Sequence, residues 1–224
     1  METTTYRGFN INILQDEDPI NPRTEQDHLG TMVCWHNRYD LGDKHNFDTE
    51  EDFKEWAEGQ DLFIFPLYLY DHSGITISTR PFHCSWDSGQ VGWIYMTKEK
   101  FRKECTRPGK PEADGICHTW YPIKHITRKD RERAMNILQE EVDVYDLYLT
   151  GQVYGYQVEP VEANKGINCN ESCWGFYGDV GVKDAVDVAK RDIDHEIKKY
   201  KQTVTARVAL EKEANKFVNN HFAL

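Results

Sequence analysis

The sequence predicts an α+β fold, in which a largely antiparallel sheet of about five to seven strands packs on two or three helices and a long C-terminal helix follows. Three observations predict this class. Short β-prone segments are separated by glycine-containing turns, helix-capping signatures precede apolar residues at helical spacing, and a further helical pattern runs from residue 186 to residue 208. We therefore expect residues 1–181 to form an α+β core domain and residues 182–224 to form a C-terminal helical extension.

Five segments in the first hundred residues predict strands, since each combines β-prone residues with alternating or continuous apolar character. They are residues 6–14, 31–36, 62–70, 75–79 and 91–96. The third is apolar on both faces, which is typical of a central strand, and its Pro66 predicts a bulge or an unpaired stretch because proline has no N–H to donate. Gly74 lies in the short turn before the fourth, so the third and fourth are expected to form a β-hairpin.

Three threonines predict helix starts. Thr49 is followed by acidic residues, Thr97 precedes residues 98–105, and Thr127 opens a capping signature for a long helix. The long helix is expected to end at Gly151. Its apolar stripe consists of Met135, Leu138, Val142, Tyr145 and Leu149.

The last part of the chain predicts a second hairpin and an unusually long helix. Residues 152–161 and 172–177 are β-prone and are joined by a polar loop. Apolar residues then repeat at helical spacing up to Val208, which predicts a helix of roughly 35 residues, longer than most globular helices. Such a helix either breaks near residues 203–205 or packs on another subunit, and a stripe of this length favours a two-fold homodimer.

The composition limits the possible partners. The chain has 224 residues, with 27 Lys and Arg against 38 Asp and Glu, so its formal net charge is −11. Because phosphate groups repel a protein of this charge, we expect no direct nucleic-acid binding and no association with a membrane. The same negative charge is compatible with binding to a cationic surface of a partner protein, or with mimicry of the charge of nucleic acid.

The sequence shows no secretory signal and no apolar run of membrane-spanning length, which is typical of a cytoplasmic protein. The six cysteines are then expected to be reduced thiols. A zinc site built from Cys105, Cys117, His118, Cys169 and Cys173 is the alternative, but buried or incidental thiols explain these residues better. We therefore predict no metal and no cofactor.

Two glycine-containing turns carry polar groups suited to a ligand site. One contains His72 and Ser73, and the other contains Trp86, Asp87 and Ser88. A tryptophan that leads a tight turn offers a ring face for stacking, and a neighbouring aspartate accepts hydrogen bonds from a ring N–H or a ribose hydroxyl. All five residues are predicted to bind ligand, although an ordinary turn explains the serines and the aspartate without any function.

Further ligand-binding candidates follow other strands. His36 and Arg38 come directly after the second strand, where Arg38 suits recognition of a phosphate or carboxylate. A solvated loop is the alternative explanation for this pair. Trp174 and Tyr177 lie beside glycines at the end of the second hairpin, where a flat ligand could approach the backbone.

The two histidines also allow a catalytic interpretation. His72 and His36 would act as acid and base, and a Ser88 nucleophile activated by His72 and oriented by Asp87 can be drawn. The residues around Ser88 do not resemble a nucleophile elbow, so Ser88 is the weaker candidate.

Five segments of the chain also carry a family resemblance. They are Gly30-Thr-Met-Val-Cys-Trp-His36, Leu41-Gly42-Asp43, Leu67-Tyr-Leu-Tyr-Asp-His-Ser-Gly74, Cys84-Ser-Trp-Asp-Ser-Gly-Gln-Val-Gly92 and Ser172-Cys-Trp-Gly-Phe-Tyr-Gly178. Together they resemble a family of small uncharacterised proteins found in phage, prophage and plasmid genomes. The family usually has proline where Ser85 stands and Trp-Asp-Asn where residues 26–28 stand, and the helix after Val182 lies outside the resemblance.

The resemblance implies an accessory protein of a mobile element. Small phage proteins with one pocket often block host defences, by sequestering or cleaving a nucleotide signal or by binding a defence protein. We therefore expect a counter-defence protein, in the host cytoplasm if it is phage-encoded, that binds and sequesters a nucleotide-like small molecule. The alternatives are a phosphodiesterase-like enzyme that cleaves such a nucleotide and an acidic inhibitor that mimics nucleic acid on a host defence protein.

Overall fold

The computed structural model describes residues 2–109, 117, 119–164 and 166–222. Contacts divide the chain into two compact units. The continuous unit is Ile20–Gly151, and the split unit joins Met1–Pro19 to Gln152–Leu224. We describe each unit by itself.

The described residues form strands and helices in mixed order. In chain order they are β1 (Glu2–Tyr6), β2 (Phe9–Gln15), α1 (Pro22–Glu25), β3 (Thr31–Cys34), α2 (Glu50–Glu58), β4 (Leu62–Asp71), β5 (Ile75–Ser78), β6 (Ser88–Thr97), α3 (Lys98–Glu104), β7 (Thr106–Pro108), β8 (Trp120–Pro122), α4 (Arg128–Leu149), β9 (Val153–Pro160), β10 (Ser172–Tyr177) and α5 (Gly178–Phe222). A 3-10 turn, Glu162–Asn164, follows β9.

The continuous unit is built on an antiparallel sheet with the strand order β3-β6-β4-β5. Helix α4 packs on one face of this sheet, where buried Ile94 of β6 belongs to the same core as Leu138 of α4. On β6, Trp93 and Tyr95 instead contact Phe53 of α2, with ring centroids 5.4 Å away in each pair. Because successive side chains of a strand point to opposite faces, β6 supplies both an aliphatic and an aromatic layer. Strands β7 and β8 form a separate antiparallel ribbon.

A buried ion cluster fixes the segments on either side of β3. The Arg23 guanidinium donates to Asp43 through Nε (2.8 Å) and Nη2 (2.5 Å), and to Glu141 through Nη1 (3.0 Å). Asp43 also accepts from the Met32 amide at 2.8 Å, and Glu141 accepts from the Gly30 amide at 3.0 Å. Burial alone would lower the pKa of Arg23, but its bonds to the two carboxylates outweigh burial and raise it.

The split unit is a second antiparallel sheet, with the order β1-β2-β9-β10, and α5 packs on one face. Alternate residues of β2 and β9 point toward the helix, as expected for a half-buried sheet. The core consists of Phe9, Ile11, Ile13, Tyr156, Val158, Cys169, Ala185, Ala189 and Ile193.

The first strand predicted, residues 6–14, is interrupted in the structure by a tight turn. Arg7 and Gly8 both have left-handed backbones, with φ of 49° and 80°, and Tyr6 pairs with Phe9 across them. Two consecutive left-handed residues reverse the chain within two positions, so β1 and β2 form a hairpin. Arg7 has a Cβ and rarely adopts this conformation, which is why alternation alone predicted an uninterrupted strand.

All three predicted helix caps are confirmed. The side chains of Thr49, Thr97 and Thr127 accept from the third helical N–H at 3.2, 3.0 and 3.4 Å. Asp130 completes a capping box at α4, because its carboxylate accepts from the Thr127 amide at 2.7 Å. Gly151, with φ of 69°, follows the end of α4 as predicted.

Both predicted hairpins are confirmed, since β4 pairs antiparallel with β5 and β9 with β10. Pro66 itself pairs in register with Trp93, so the bulge or unpaired stretch predicted there is wrong. The register of β4 against β6 shifts between Leu67 and Tyr68, and the extra residue is Val91 of β6.

The α+β class, the antiparallel pairing and the long C-terminal helix are confirmed. The strands are divided between two four-stranded sheets and one ribbon, where the sequence predicted a single sheet. Contacts also group the residues differently from the predicted 1–181 core and 182–224 extension, because α5 packs on strands of its own unit. Among the described residues, no helix is both long and apolar enough to cross a membrane.

Helix α5 is continuous through residues 203–205, where the sequence allowed a break. Thr203 and Thr205 donate their hydroxyls to the carbonyls of Lys199 and Lys201, at 3.0 and 2.8 Å. These side-chain bonds satisfy both hydroxyls without breaking the helix.

Candidate functional site

A cavity of about 400 Å³ lies in the continuous unit where the ends of β3, β4 and β6 meet. Strand pairing assembles it. The Trp35 amide donates to the Val91 carbonyl (2.8 Å) just beyond β3, and the Asp71 amide donates to the Asp87 carbonyl (2.8 Å) at the end of β4. The lining residues are Trp35, His36, Asn37, Leu69, Asp71, Trp86, Asp87, Ser88, Gly89, Gln90 and Val91. Four predicted site residues, His36, Trp86, Asp87 and Ser88, are therefore brought together.

Trp86 lies in the turn that leads into β6 and is 94% exposed. The turn is held by its neighbours, because the Ser88 hydroxyl donates to the Cys84 carbonyl and the Cys84 thiol donates to Asp87 at 3.7 Å. Local polar bonds of this kind stabilise a turn without using the tryptophan. The turn therefore places Trp86 at the cavity, while most of its surface faces solvent.

Two carboxylates line the cavity, and each has a cationic or titratable neighbour. Asp71 accepts from Arg38 Nη1 at 2.9 Å and from the Tyr39 hydroxyl at 3.1 Å. Asp87 Oδ2 lies 3.3 Å from His72 Nδ1. The side chains of Arg38 and His72 are 69% and 63% exposed, so both remain accessible to a ligand at the edge of the cavity.

His36 is oriented by the backbone that follows it. Its Nδ1 accepts from the amides of Arg38 and Tyr39, both at 3.3 Å, and its ring stacks on the Tyr39 ring at 5.0 Å between centroids. An accepting Nδ1 carries no proton, so the proton of the neutral ring lies on Nε2. His36 is thus arranged as a hydrogen-bond donor through Nε2.

The serines do not form the arrangement drawn for nucleophilic catalysis. Ser88 donates its hydroxyl to the Cys84 carbonyl, and His72 contacts Asp87 instead of Ser88. Ser73 is exposed in the β4–β5 turn with φ of 59° and does not line the cavity. The turn interpretation therefore accounts for both serines.

Trp174 and Tyr177 lie on β10 of the split unit. The Trp174 ring packs on Gly155 of the neighbouring strand, where an added Cβ would come within 2.2 Å of the ring. This contact explains why position 155 is a glycine, and Trp174 itself remains 42% exposed. The cavity lining comes from the continuous unit alone.

Sequence reasoning missed Trp35, Asn37 and Gln90 as lining residues, although each lies in or beside a segment already singled out. Trp35 belongs to the aromatic layer, with its ring centroid 6.4 Å from that of Trp93.

Gly92 lies on β6 close to the cavity but has a packing role. A Cβ at Gly92 would lie 1.9 Å from the Val33 carbonyl oxygen, so its absence permits the close pairing of β3 with β6.

Among the residues that the structure describes, no group of three or more His, Cys, Asp and Glu side chains is placed to hold a metal ion. His118, part of the alternative zinc set, lies outside the described residues. The cavity lining offers the exposed Trp86 indole, the carboxylates of Asp71 and Asp87 and the His36 imidazole, and Arg38 and His72 lie against the two carboxylates.

Comparisons with protein-family models, with curated proteins and with solved structures found no match.

Proposed function

We propose that the continuous unit binds a nucleotide-like small molecule in this cavity and that the protein acts by sequestering it. The observation that carries the proposal is the position of the exposed Trp86 indole beside two cavity-lining carboxylates, Asp71 and Asp87. The cavity volume of about 400 Å³ falls within the range of small-molecule sites. A counter-defence role for a phage or mobile-element protein is the biological setting that the family resemblance suggests.

The Trp86 ring supports a planar ligand group. An indole that is 94% exposed leaves apolar surface in water, and a stacked base would remove that surface from solvent. Stacking on an aromatic side chain contributes about 1–3 kcal/mol per base. Asp87, the next residue, is positioned to accept hydrogen bonds from ligand N–H or hydroxyl groups.

The groups at the edge of the cavity support a phosphate. Arg38 donates one N–H to Asp71 and is 69% exposed, so the guanidinium can also reach a ligand oxygen. His36 offers its Nε2 proton from within the lining. A ligand with a base, a sugar and a phosphate would use all three kinds of group.

A cleaving enzyme is the second candidate, and the contact between His72 and Asp87 favours it. A carboxylate beside one ring nitrogen orients an imidazole for proton transfer at the other. The Ser88 hydroxyl already donates to the Cys84 carbonyl, and Nδ1 of His36 already accepts from the Arg38 amide. Because neither group is free to act as a nucleophile or a base in this arrangement, these bonds favour binding over cleavage.

Mass spectrometry of material released from the heat-denatured protein tests the proposal, together with calorimetric titration of cyclic and ADP-ribose-type nucleotides. We expect intact ligand from the wild type and binding about 5- to 150-fold weaker in Trp86→Ala. Trp120→Ala is the matched control, because Trp120 is also exposed and does not line the cavity.

Two outcomes would overturn sequestration. Many turnovers that disappear in His72→Ala would establish cleavage, since binding alone leaves covalent bonds unchanged. A failure of every nucleotide to bind, with no ligand released, would exclude a nucleotide-like ligand. The counter-defence setting is tested separately, by phage growth in a host that expresses the wild type or Trp86→Ala.

A further inference from the structure

Helix α5 changes its surroundings halfway along its length. Ala185, Ala189 and Ile193 are fully buried against the sheet of the split unit. From residue 198 to residue 216, every residue is exposed. The exposed half includes the large apolar side chains of Tyr200, Val204 and Val208, which are 41–43% exposed.

The exposed apolar residues continue the buried stripe. The stripe residues are Val186, Ala189, Ile193, Ile197, Tyr200, Val204 and Val208. Their spacings of three, four and four repeat every 11 residues, which keeps them on one side of an almost straight helix. The helix surface that packs on the sheet therefore continues beyond the sheet, where residues 198–216 are all exposed.

A helical segment of this kind needs a packing partner. Isolated helices are marginally stable in water, and most helical stability in proteins comes from packing of an apolar face. Residues 198–216 would extend about 28 Å at 1.5 Å per residue, with no burial along that length. A partner that covers Val204 and Val208 would supply the missing contacts.

The charges of the exposed segment select a second copy in antiparallel orientation. Lys198, Lys199 and Lys201 lie at one end, and Glu211 and Glu213 lie toward the other, where Lys212 and Lys216 also lie. In-register parallel pairing would place each charge beside its own copy, whereas antiparallel pairing about residue 206 places Lys199 opposite Glu213, Lys201 opposite Glu211 and Lys216 opposite Glu196. Opposite charges across a helix pair determine its orientation.

We propose that residues 197–216 of two copies pair antiparallel, with a two-fold axis near residue 206. This single register places Val204 opposite Val208 of the second copy and Lys201 opposite Glu211 of the second copy. Since Arg207 and Glu211 already form an exposed pair at 3.0 Å, each Glu211 would join two cations. The sheet-packed halves of the two helices then lie at opposite ends of the paired segment. The proposal does not depend on the ligand site.

Sedimentation equilibrium of the full chain over micromolar concentrations tests the interface. We expect a mass near twice the chain mass of 26.3 kDa. Val204→Glu should weaken the dimer about tenfold or more, because it places a carboxylate in the apolar seam. Gln202→Glu is the matched control, since it makes the same charge change at an exposed position on the opposite side of the helix.

A charge exchange tests the orientation. Lys201→Glu and Glu211→Lys should each weaken the dimer, and the double variant should restore it, because every cross-helix pair regains opposite signs. Circular dichroism checks that the helix is retained in each variant. A full chain that sediments as a monomer, an unchanged mass in Val204→Glu, or a double variant as weak as the singles would overturn the proposal.

Discussion

Asp87 and Ser88 are adjacent in one turn, yet their side chains have different surroundings. The Ser88 hydroxyl is bound to the Cys84 carbonyl, whereas the Asp87 carboxylate lines the cavity beside His72 and is 39% exposed. A bound hydroxyl stabilises the turn, and an accessible carboxylate remains able to accept from a ligand. The two residues can therefore be separated by mutation.

Asp87→Ala is expected to abolish ligand binding while the melting temperature stays within a few degrees of wild type. The side chain is partly exposed, and its backbone carbonyl still accepts from the Asp71 amide in the variant. Calorimetric titration and thermal unfolding measure the two effects. Asp40→Ala, an exposed carboxylate outside the lining, is the control. If Asp87→Ala lowers the free energy of unfolding by more than about 2 kcal/mol, Asp87 stabilises the turn and the ligand-site assignment is wrong.

Asp43→Ala is expected to destabilise the protein by about 3–5 kcal/mol, because it leaves the buried Arg23 guanidinium without its bidentate partner. Asp61 provides a matched comparison, since it pairs with Lys98 but its side chain is 68% exposed. Asp61→Ala should cost less than about 1 kcal/mol. Urea unfolding of both variants measures the difference, and equal losses would contradict a buried role for the Arg23 cluster.

At the scale of elements, close strand approach and helix capping explain most of the local structure. Strand β3 lies close beside β6 because Gly92 lacks a Cβ. Helix α4 begins where the side chains of Thr127 and Asp130 each accept a hydrogen bond from the other residue's amide. Both features have a sequence signal. The capping signature specifies its own geometry, but a glycine in a strand does not specify which neighbour approaches it.

Gly92→Ala is expected to destabilise the continuous unit by about 2 kcal/mol or more, since the new Cβ would overlap the Val33 carbonyl. Gly89→Ala is the control, because a Cβ there meets nothing within 4 Å. Thermal unfolding compares the two. Equal melting temperatures would show that β3 can shift without loss.

Asp130 makes stability depend on pH. Hydrogen bonds from Arg107 and then from Thr127 outweigh burial and hold the pKa of this carboxyl well below its usual range. The stabilisation is therefore complete above the unfolded-state pKa of about 4 and is lost as pH falls toward the folded-state pKa. Asp130→Asn should lower stability at neutral pH by about 1–3 kcal/mol and flatten its decline in acid. Urea unfolding at several pH values measures this. If the free energy of unfolding falls equally in acid for the wild type and for Asp130→Asn, the prediction is wrong.

At the scale of the whole molecule, the class of fold was predictable and the grouping of strands was not. Capped helices and hairpins join neighbouring residues, so local patterns specify them. Strand β2 instead pairs with β9, where Ile13 lies opposite Tyr156, and no local pattern relates positions so far apart. The same limit applies to the site. Trp86 and Asp87 have a local turn signal, whereas Trp35 and Asn37 join them through the pairing of β3 with β6.

Hydrogen exchange is expected to show that the split unit opens as one body. Amides of β2 and β9 should exchange at similar rates despite their distance in the sequence, since the same sheet and α5 protect both. Peptide-resolved exchange measured by mass spectrometry checks this. Much faster exchange across β2 than across β9 would show that the hairpin of β1 and β2 opens independently.

The pairing of β2 with β9 has a consequence for the order of events during synthesis. A ribosome that adds about 5–20 residues per second needs roughly 7–28 seconds to proceed from β2 to β9. Throughout that interval the hairpin of β1 and β2 has an unpaired edge, while all residues of the continuous unit emerge and can pack. The continuous unit is therefore expected to fold first on the nascent chain, and the hairpin must wait for a strand that is made much later.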